Sequence, residues 1–279
     1  MTPPTPLAIL VLPPVGWAIA ALWGGLWGSF FNVCIYRIGL YESVTRPRSR
    51  CPGCGNPVRA IDNVPILSWL ILRGRCHFCG MSISFRYPLV ELLTLLLALA
   101  IYYRFVYSLN LDPENTPALV NATAHFLVCF AFVGTLIVLS GIDLDHMLLP
   151  DQLTYPAIPL FFVAAILLQD HSLQELSIGL VVGYSVVALI AEGIYLLFKR
   201  EGMGYGDAKL LMLVGGFCGW PAVPFSLFLG GLLGSICLLP VMALRRQKMI
   251  GVEIPFGPFL AAAAVIYLLE ADTIQFWMG

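Results

Sequence analysis

The chain has 279 residues, 59% hydrophobic and only 11% charged, whereas a water-soluble domain carries about a quarter charged residues; this composition belongs in lipid. The formal net charge of −1 says nothing about nucleic acid by itself, because the distribution of charge matters more than its sum, and no nucleic-acid partner is expected. Eight of the fifteen Lys and Arg fall in one fifty-residue stretch, from Arg37 to Arg86.

At about 20 apolar residues per crossing, spans are expected near residues 15–36, 88–107, 122–142, 153–169, 177–198, 208–223, 224–244 and 256–271. The expected fold is an all-α polytopic membrane protein of about eight transmembrane helices. Residues 1–36 carry the first helix, which has no charge before Arg37 and so lacks the basic start of a cleavable signal; it is read as retained, with its N-terminus outside. Residues 37–87 form a small insert between the first and second helices, and residues 88–279 form the rest of the membrane domain. Trp220-Pro221-Ala222-Val223-Pro224 interrupts the sixth and seventh spans, since proline removes a helical donor and constrains the residue before it, so the sixth helix is expected to be short or broken. The insert, Lys199-Arg200 and Arg245-Arg246-Gln247-Lys248 all fall on one side of the bilayer in this count. The excess of Lys and Arg makes that side cytoplasmic.

Within the insert stand Cys51-Pro52-Gly53-Cys54 and Cys76-His77-Phe78-Cys79, with twenty-one residues between the pairs. Each pair wraps two thiolates around one ion, and Cys51, Cys54, Cys76 and Cys79 together make a four-thiolate structural Zn²⁺ site. Disulfides are disfavoured on a cytoplasmic face, and His77 is not needed once four cysteines saturate the ion. Cys34, Cys129, Cys218 and Cys237 lie in apolar segments and are read as small hydrophobes.

Two carboxylates carry the chemistry. Asp143 stands in Ser-Gly-Ile-Asp-Leu-Asp-His, and Asp207 in Gly-Met-Gly-Tyr-Gly-Asp-Ala-Lys; both fall at the cytoplasmic ends of their helices. A carboxylate near hydrocarbon is costly and marks a functional site. Two such groups facing each other cannot both ionise easily, so one holds a proton while the other is charged, the arrangement needed to activate water for peptide hydrolysis. Taken singly, Asp207 is also placed to cap the helix it opens, and Asp143 to be a solvated residue at a helix end. Asp145, two residues on, points nearly the opposite way, and Asp151 reads as the N-cap of the following helix. Gly202, Gly204 and Gly206 allow close approach of a substrate strand, so Gly204, Gly206 and Lys209 are taken as substrate-binding residues. Glu91 and Glu192 fall inside spans and are read as internally bonded structural residues in preference to functional ones.

Gly28-Ser-Phe-Phe-Asn-Val-Cys-Ile-Tyr-Arg37, Asp62-Asn-Val-Pro-Ile-Leu-Ser-Trp69, Arg73-Gly-Arg-Cys-His-Phe-Cys79, Ile83-Ser-Phe-Arg-Tyr-Pro-Leu-Val-Glu91, Asp143 to Asp151, Gly204 to Lys209 and Ile254-Pro-Phe-Gly-Pro-Phe-Leu260 occur in order. Together they resemble the type IV prepilin peptidases, also called prepilin leader peptidase/N-methyltransferases, over nearly the whole chain; the segment from Arg37 to Arg50 is shorter than in many members. The resemblance implies an aspartic peptidase domain over 88–279 with Asp143 and Asp207 as the catalytic pair. It implies leader removal from type IV prepilins and type II secretion pseudopilins at the cytoplasmic face of the bacterial inner membrane, typically after a glycine. With both cysteine pairs kept, it further implies methylation of the new N-terminus from S-adenosyl-L-methionine. Two other classes stay open on the residues alone: a presenilin-like intramembrane Gly-x-Gly-Asp protease, which has no need of the cysteines, and a non-enzymatic transporter or scaffold whose aspartates carry protons or ions.

Overall fold

The computed structural model describes residues 5–168, 171–199, 204–245 and 255–278. Its helices are α1 (Pro6–Val11), α2 (Val15–Gly39), α3 (Leu67–Ile71), α4 (Arg86–Phe105), α5 (Thr116–His146), α6 (Asp151–Leu168), α7 (Leu173–Phe198), α8 (Tyr205–Cys218), α9 (Ala222–Arg245) and α10 (Gly257–Met278). Among the described residues there is no named strand, only two isolated bridges in the insert.

The eight expected spans correspond to α2 and to α4 through α10. Six helices (α2, α4, α5, α6, α7 and α10) are long and apolar enough to cross a membrane among the described residues, against the eight expected. The reason is length. α8 has 14 residues, about 21 Å at 1.5 Å per residue, and α9, a 24-residue helix from Ala222 to Arg245, enters that count only as far as Cys237. The break after α8 is made by Gly219 at φ 84°, followed by Trp220 and Pro221, while Pro224 sits inside the first turn of α9, where a missing N–H costs nothing. α5 exceeds its apolar stretch at both ends, which carries Asp143 within its last turn.

The chain folds as two compact units, Met1–Gly134 and Thr135–Gly279, with α5 running through the border. In the first unit, Gly16, Ala20, Gly24, Gly28 and Asn32 recur every fourth residue and therefore share one face of α2. That face lies against α4: a Cβ on Gly24 would stand 2.7 Å from the Ala98 side chain, and one on Gly28 2.8 Å from the Glu91 Cα. Lipid supplies no hydrophobic drive between helices, so close backbone contact through small residues does the work. Polar bonds tie α4 to α2 near one end and to α1 near the other. Asn32 Nδ2 donates to the Tyr87 carbonyl at 3.0 Å, and Tyr102 donates its hydroxyl to the Val11 carbonyl at 2.8 Å.

In the second unit α8 is the inner helix, with nine of its fourteen residues buried. It meets α7 backbone to backbone. A Cβ on Gly179 would lie 2.2 Å from the Gly215 carbonyl oxygen, and one on Gly183 2.3 Å from that of Leu211, so neither position accepts any side chain without parting the helices. The helix that presents Asp207 is thereby fixed in place.

Candidate active site and candidate metal centre

Asp143 lies in the last turn of α5 with 7% of its surface exposed; Asp145, about 200° further around the helix, is exposed. The Asp143 Oδ2 accepts the Gly257 N–H at 3.0 Å, a buried bond between residues 114 positions apart. Gly257 is the first residue of α10, where the Phe256 carbonyl accepts from Phe259 at 3.1 Å and Leu260 at 3.2 Å. Its own N–H is thus one of the donors that a helix start leaves without an intrahelical partner, and a carboxylate there is favoured by the helix dipole as well. A Cβ on Gly257 would meet the same oxygen at 2.7 Å. Only glycine lets the amide and the carboxylate meet.

Asp207 is the third residue of α8. Its N–H donates to the Gly204 carbonyl at 3.1 Å, and Gly204 occupies the cap position in extended conformation with no side-chain cap bond. The capping role is therefore not what Asp207 supplies; its carboxyl sits in the first turn, inside the helix start. Around it, Gly206 packs on Leu149 at 3.2 Å from its would-be Cβ, whereas Gly204 faces open space, with the Asp207 Oδ2 4.0 Å from its own. Gly202 lies outside the described residues.

The ammonium of Lys209 is bonded to the Asp151 carboxylate and lies 4.9 Å over the Tyr155 ring. Asp151 is the first helical residue of α6, not its cap: the Pro150 carbonyl takes the Thr154 N–H at 3.1 Å and its hydroxyl at 2.9 Å. The pair joins the first turns of α6 and α8. Of the glutamates singled out in the spans, Glu192 lies exposed on α7, and Glu91 is buried at 9% exposure with its Oε2 accepting the Ile66 N–H at 2.7 Å.

The four sulfurs of Cys51, Cys54, Cys76 and Cys79 lie within 4.8 Å of one another. They are presented by two turns of the same design. Cys51 N–H donates to the Asn56 carbonyl and Gly55 N–H to that of Cys51, at 2.9 and 2.8 Å; Cys76 to Met81 and Gly80 to Cys76 repeat this at 2.8 and 3.0 Å. The residue after each second cysteine must turn left-handed, and both are glycine, at φ 70° and 71°. Four thiolates tetrahedrally placed at about 2.3 Å from Zn²⁺ stand about 3.8 Å apart, and the Cys51 and Cys79 sulfurs are 3.7 Å apart. The donor set fits the metal. Backbone N–H groups of Cys54 and Gly53 hold the Cys51 thiol down to about 6, the thiolate form that a metal takes. Cys79 stands up at about 11: the Met81 N–H lowers it, but desolvation and its hydrogen bonds with the other thiols outweigh that.

Gly257 is the site residue that sequence reasoning misses. Pro-Phe-Gly-Pro signals a turn before a helix, and nothing local ties it to a carboxylate 114 residues away.

Comparison with known proteins gives a consistent result. The family model described as "Bacterial Peptidase A24 N-terminal domain" matches residues 22–105, and that of the "Type IV leader peptidase family" matches residues 130–239. The chain is 38% identical over 290 residues to the "Prepilin leader peptidase/N-methyltransferase" of Aeromonas hydrophila, covering 95% of this chain and 94% of the relative. It is 37% identical over 299 residues to the protein of the same name from Stutzerimonas stutzeri, covering 97% and 96%. The like-named protein of Dichelobacter nodosus is 36% identical over 299 residues, with 95% of each covered. No solved structure matches the chain.

Proposed function

Since the chain belongs to the prepilin leader peptidase/N-methyltransferase family, we propose that Asp143 and Asp207 are the pair with which it cuts the leader from its substrate. The protein is a multi-pass membrane enzyme with peptidase and N-methyltransferase activities. Prepilins and pseudopilins are its substrates, met at the cytoplasmic face of the inner membrane. The observation that supports the assignment is that Asp143, buried at the end of α5, is held by the backbone amide of Gly257, while Asp207 stands in the first turn of α8 next to the exposed backbone of Gly204.

That bond suits an ionised carboxylate, so Asp143 is the base. It takes a proton from water as the oxygen attacks the scissile carbonyl carbon. Asp207, holding the proton, donates a hydrogen bond to the carbonyl oxygen as negative charge gathers there. The carbon–nitrogen bond then breaks, the amine leaves with a proton, and no covalent enzyme intermediate is required. Gly204 gives the substrate backbone room to approach, Gly206 lets the start of α8 close on Leu149, and Lys209 stands beside them as part of its ion pair. In the second reaction S-adenosyl-L-methionine would supply the methyl group to the amine that cleavage frees. The four cysteines hold one structural Zn²⁺, which orders the insert.

Asp143→Asn and Asp207→Asn are each expected to abolish leader cleavage with folding retained, because Asn is nearly isosteric and cannot cycle a proton; Asp145→Asn is expected to be milder. The test incubates the purified full chain with prepilin, with and without S-adenosyl-L-methionine, and weighs the products by mass spectrometry. Normal processing by either Asn variant removes that residue from the mechanism, and a wild-type chain that binds prepilin without cleaving it restores the scaffold reading.

A further inference from the structure

Part of the insert packs against α2 well along its length. The antiparallel contacts of α2 with α4 supply a ruler: Asn32 is level with Tyr87, Gly28 with Glu91 and Gly24 with Leu95. A Cβ on Gly25 would touch Pro65 of the insert at 3.6 Å and Leu95 at 3.9 Å. Gly25 is seven residues from Asn32, about 10 Å along the helix at 1.5 Å per residue. Pro65 therefore sits that far beyond the level at which Arg86 opens α4, well inside a hydrocarbon layer whose half-thickness is about 15 Å.

The backbone there is neither helix nor strand. Ile66 has φ 62° and ψ −52°, and the Leu67 N–H donates back to the Pro65 carbonyl. This is a strained γ-turn, unfavourable for a β-branched residue. In lipid every backbone polar group needs a partner from the protein. The Ile66 N–H finds one in the Glu91 carboxylate at 2.7 Å, and the Val64 N–H finds one in the Ser68 hydroxyl at 2.8 Å, which itself donates to the Ile61 carbonyl at 2.9 Å. Polar atoms turn inward and apolar ones outward. Leu67, Leu70 and Ile71, at helical spacing on one face of α3, are 57%, 57% and 78% exposed, and Ile61 is 73% exposed, the inverse of a surface that faces water. The insert from 37 to 87 also sets eight arginines against only Glu42 and Asp62, a balance that complements anionic headgroups.

We propose that residues 61–71 are a re-entrant element buried among the acyl chains of the leaflet on the Arg86 side, and that Glu91 serves as the backbone acceptor that lets the chain dip there. Lipid is the partner of Leu70 and Ile71. Such an element anchors the metal-binding turns against the membrane instead of leaving them on a free tether.

The test uses the full chain in nanodiscs of phosphatidylcholine and phosphatidylglycerol, with a benzophenone amino acid placed at Leu70 or Ile71. Leu92, 43% exposed on α4, is the lipid-facing reference, and Ser82, exposed in the second cysteine turn, is the water-facing one. After irradiation, intact mass should show phospholipid adducts at Leu70 and Ile71 in yields within about twofold of Leu92, and none at Ser82. A yield as low as at Ser82 overturns the proposal, as does a covalent dimer, which would make the face an interface between two copies. Hydrogen exchange tests the glutamate separately. The peptide containing Ile66 should exchange at least tenfold faster in Glu91→Leu and as wild type in Glu91→Gln, which keeps an acceptor; equal exchange in all three overturns the role given to Glu91.

Discussion

Replacing Gly257 by Ala puts a methyl group where the Asp143 carboxylate stands. The added Cβ would lie 2.7 Å from the Asp143 Oδ2, 3.3 Å from its Cγ and 3.6 Å from its Cβ, so the side chain must retreat by roughly 0.7 Å to reach ordinary contact. Both partners are buried and α10 begins at this residue, so the 3.0 Å bond from Gly257 lengthens beyond useful range. A hydrogen bond to a charged group contributes roughly 1.5–3 kcal/mol, and misplacing a reacting group by about 1 Å costs about 100-fold in rate. Leader cleavage by Gly257→Ala should therefore fall about 10- to 100-fold in kcat with little change in KM, since the leader itself is not touched. The assay is steady-state processing of a prepilin by the purified full chain, read by mobility on a gel, alongside thermal unfolding. Gly193→Ala is the control, because a Cβ there meets nothing within 4 Å. Wild-type cleavage by Gly257→Ala would refute the reasoning, since it would mean that the geometry joining α10 to Asp143 is not the geometry that works.

One Zn²⁺ per chain is expected, lost on Cys51→Ser or Cys76→Ser. Because such sites supply about 10 kcal/mol of folding free energy in isolated fingers, the insert should become protease-sensitive without metal; elemental analysis of a metal-free wild type that is active and protease-resistant would contradict this. The aspartates have no evident part in moving a methyl group to an amine, so Asp143→Asn should fail on full prepilin yet methylate a pilin supplied already cleaved. A folded Asp143→Asn protein unable to methylate the cleaved substrate would point to one shared active site.

The membrane helices are legible in the sequence because a crossing needs a long apolar run and little else, and the cysteine turns because the spacing that wraps a metal is local. Asp143 and Asp207 stand out for a similar reason: acidic residues at the ends of apolar runs are rare enough to notice. What pattern reading cannot reach is the partner. Gly257 looks like punctuation before a helix until the fold brings Asp143 to it, and Glu91 looks like an isolated acid until Ile66 turns toward it. α3 is hidden for a different reason, since Leu67, Leu70 and Ile71 lie in a stretch too short to register as a span and too apolar to read as a surface loop. Lys209 reads as a substrate-binding residue near Asp207, and its ammonium is bonded to Asp151, a residue whose own sequence signal pointed to a cap.

The 14 residues of α8 also bear on how water reaches a peptide bond in lipid. A helix of about 21 Å leaves about 9 Å of a 30 Å hydrocarbon layer to be made up near it by loops or by an indented bilayer surface. A peptide wound in a helix has its backbone carbonyls tied up within it, sheltered from attack. Beside a shortened helix such a peptide would find room in which to unwind, so the shortfall in length bears on where a peptide bond could meet water.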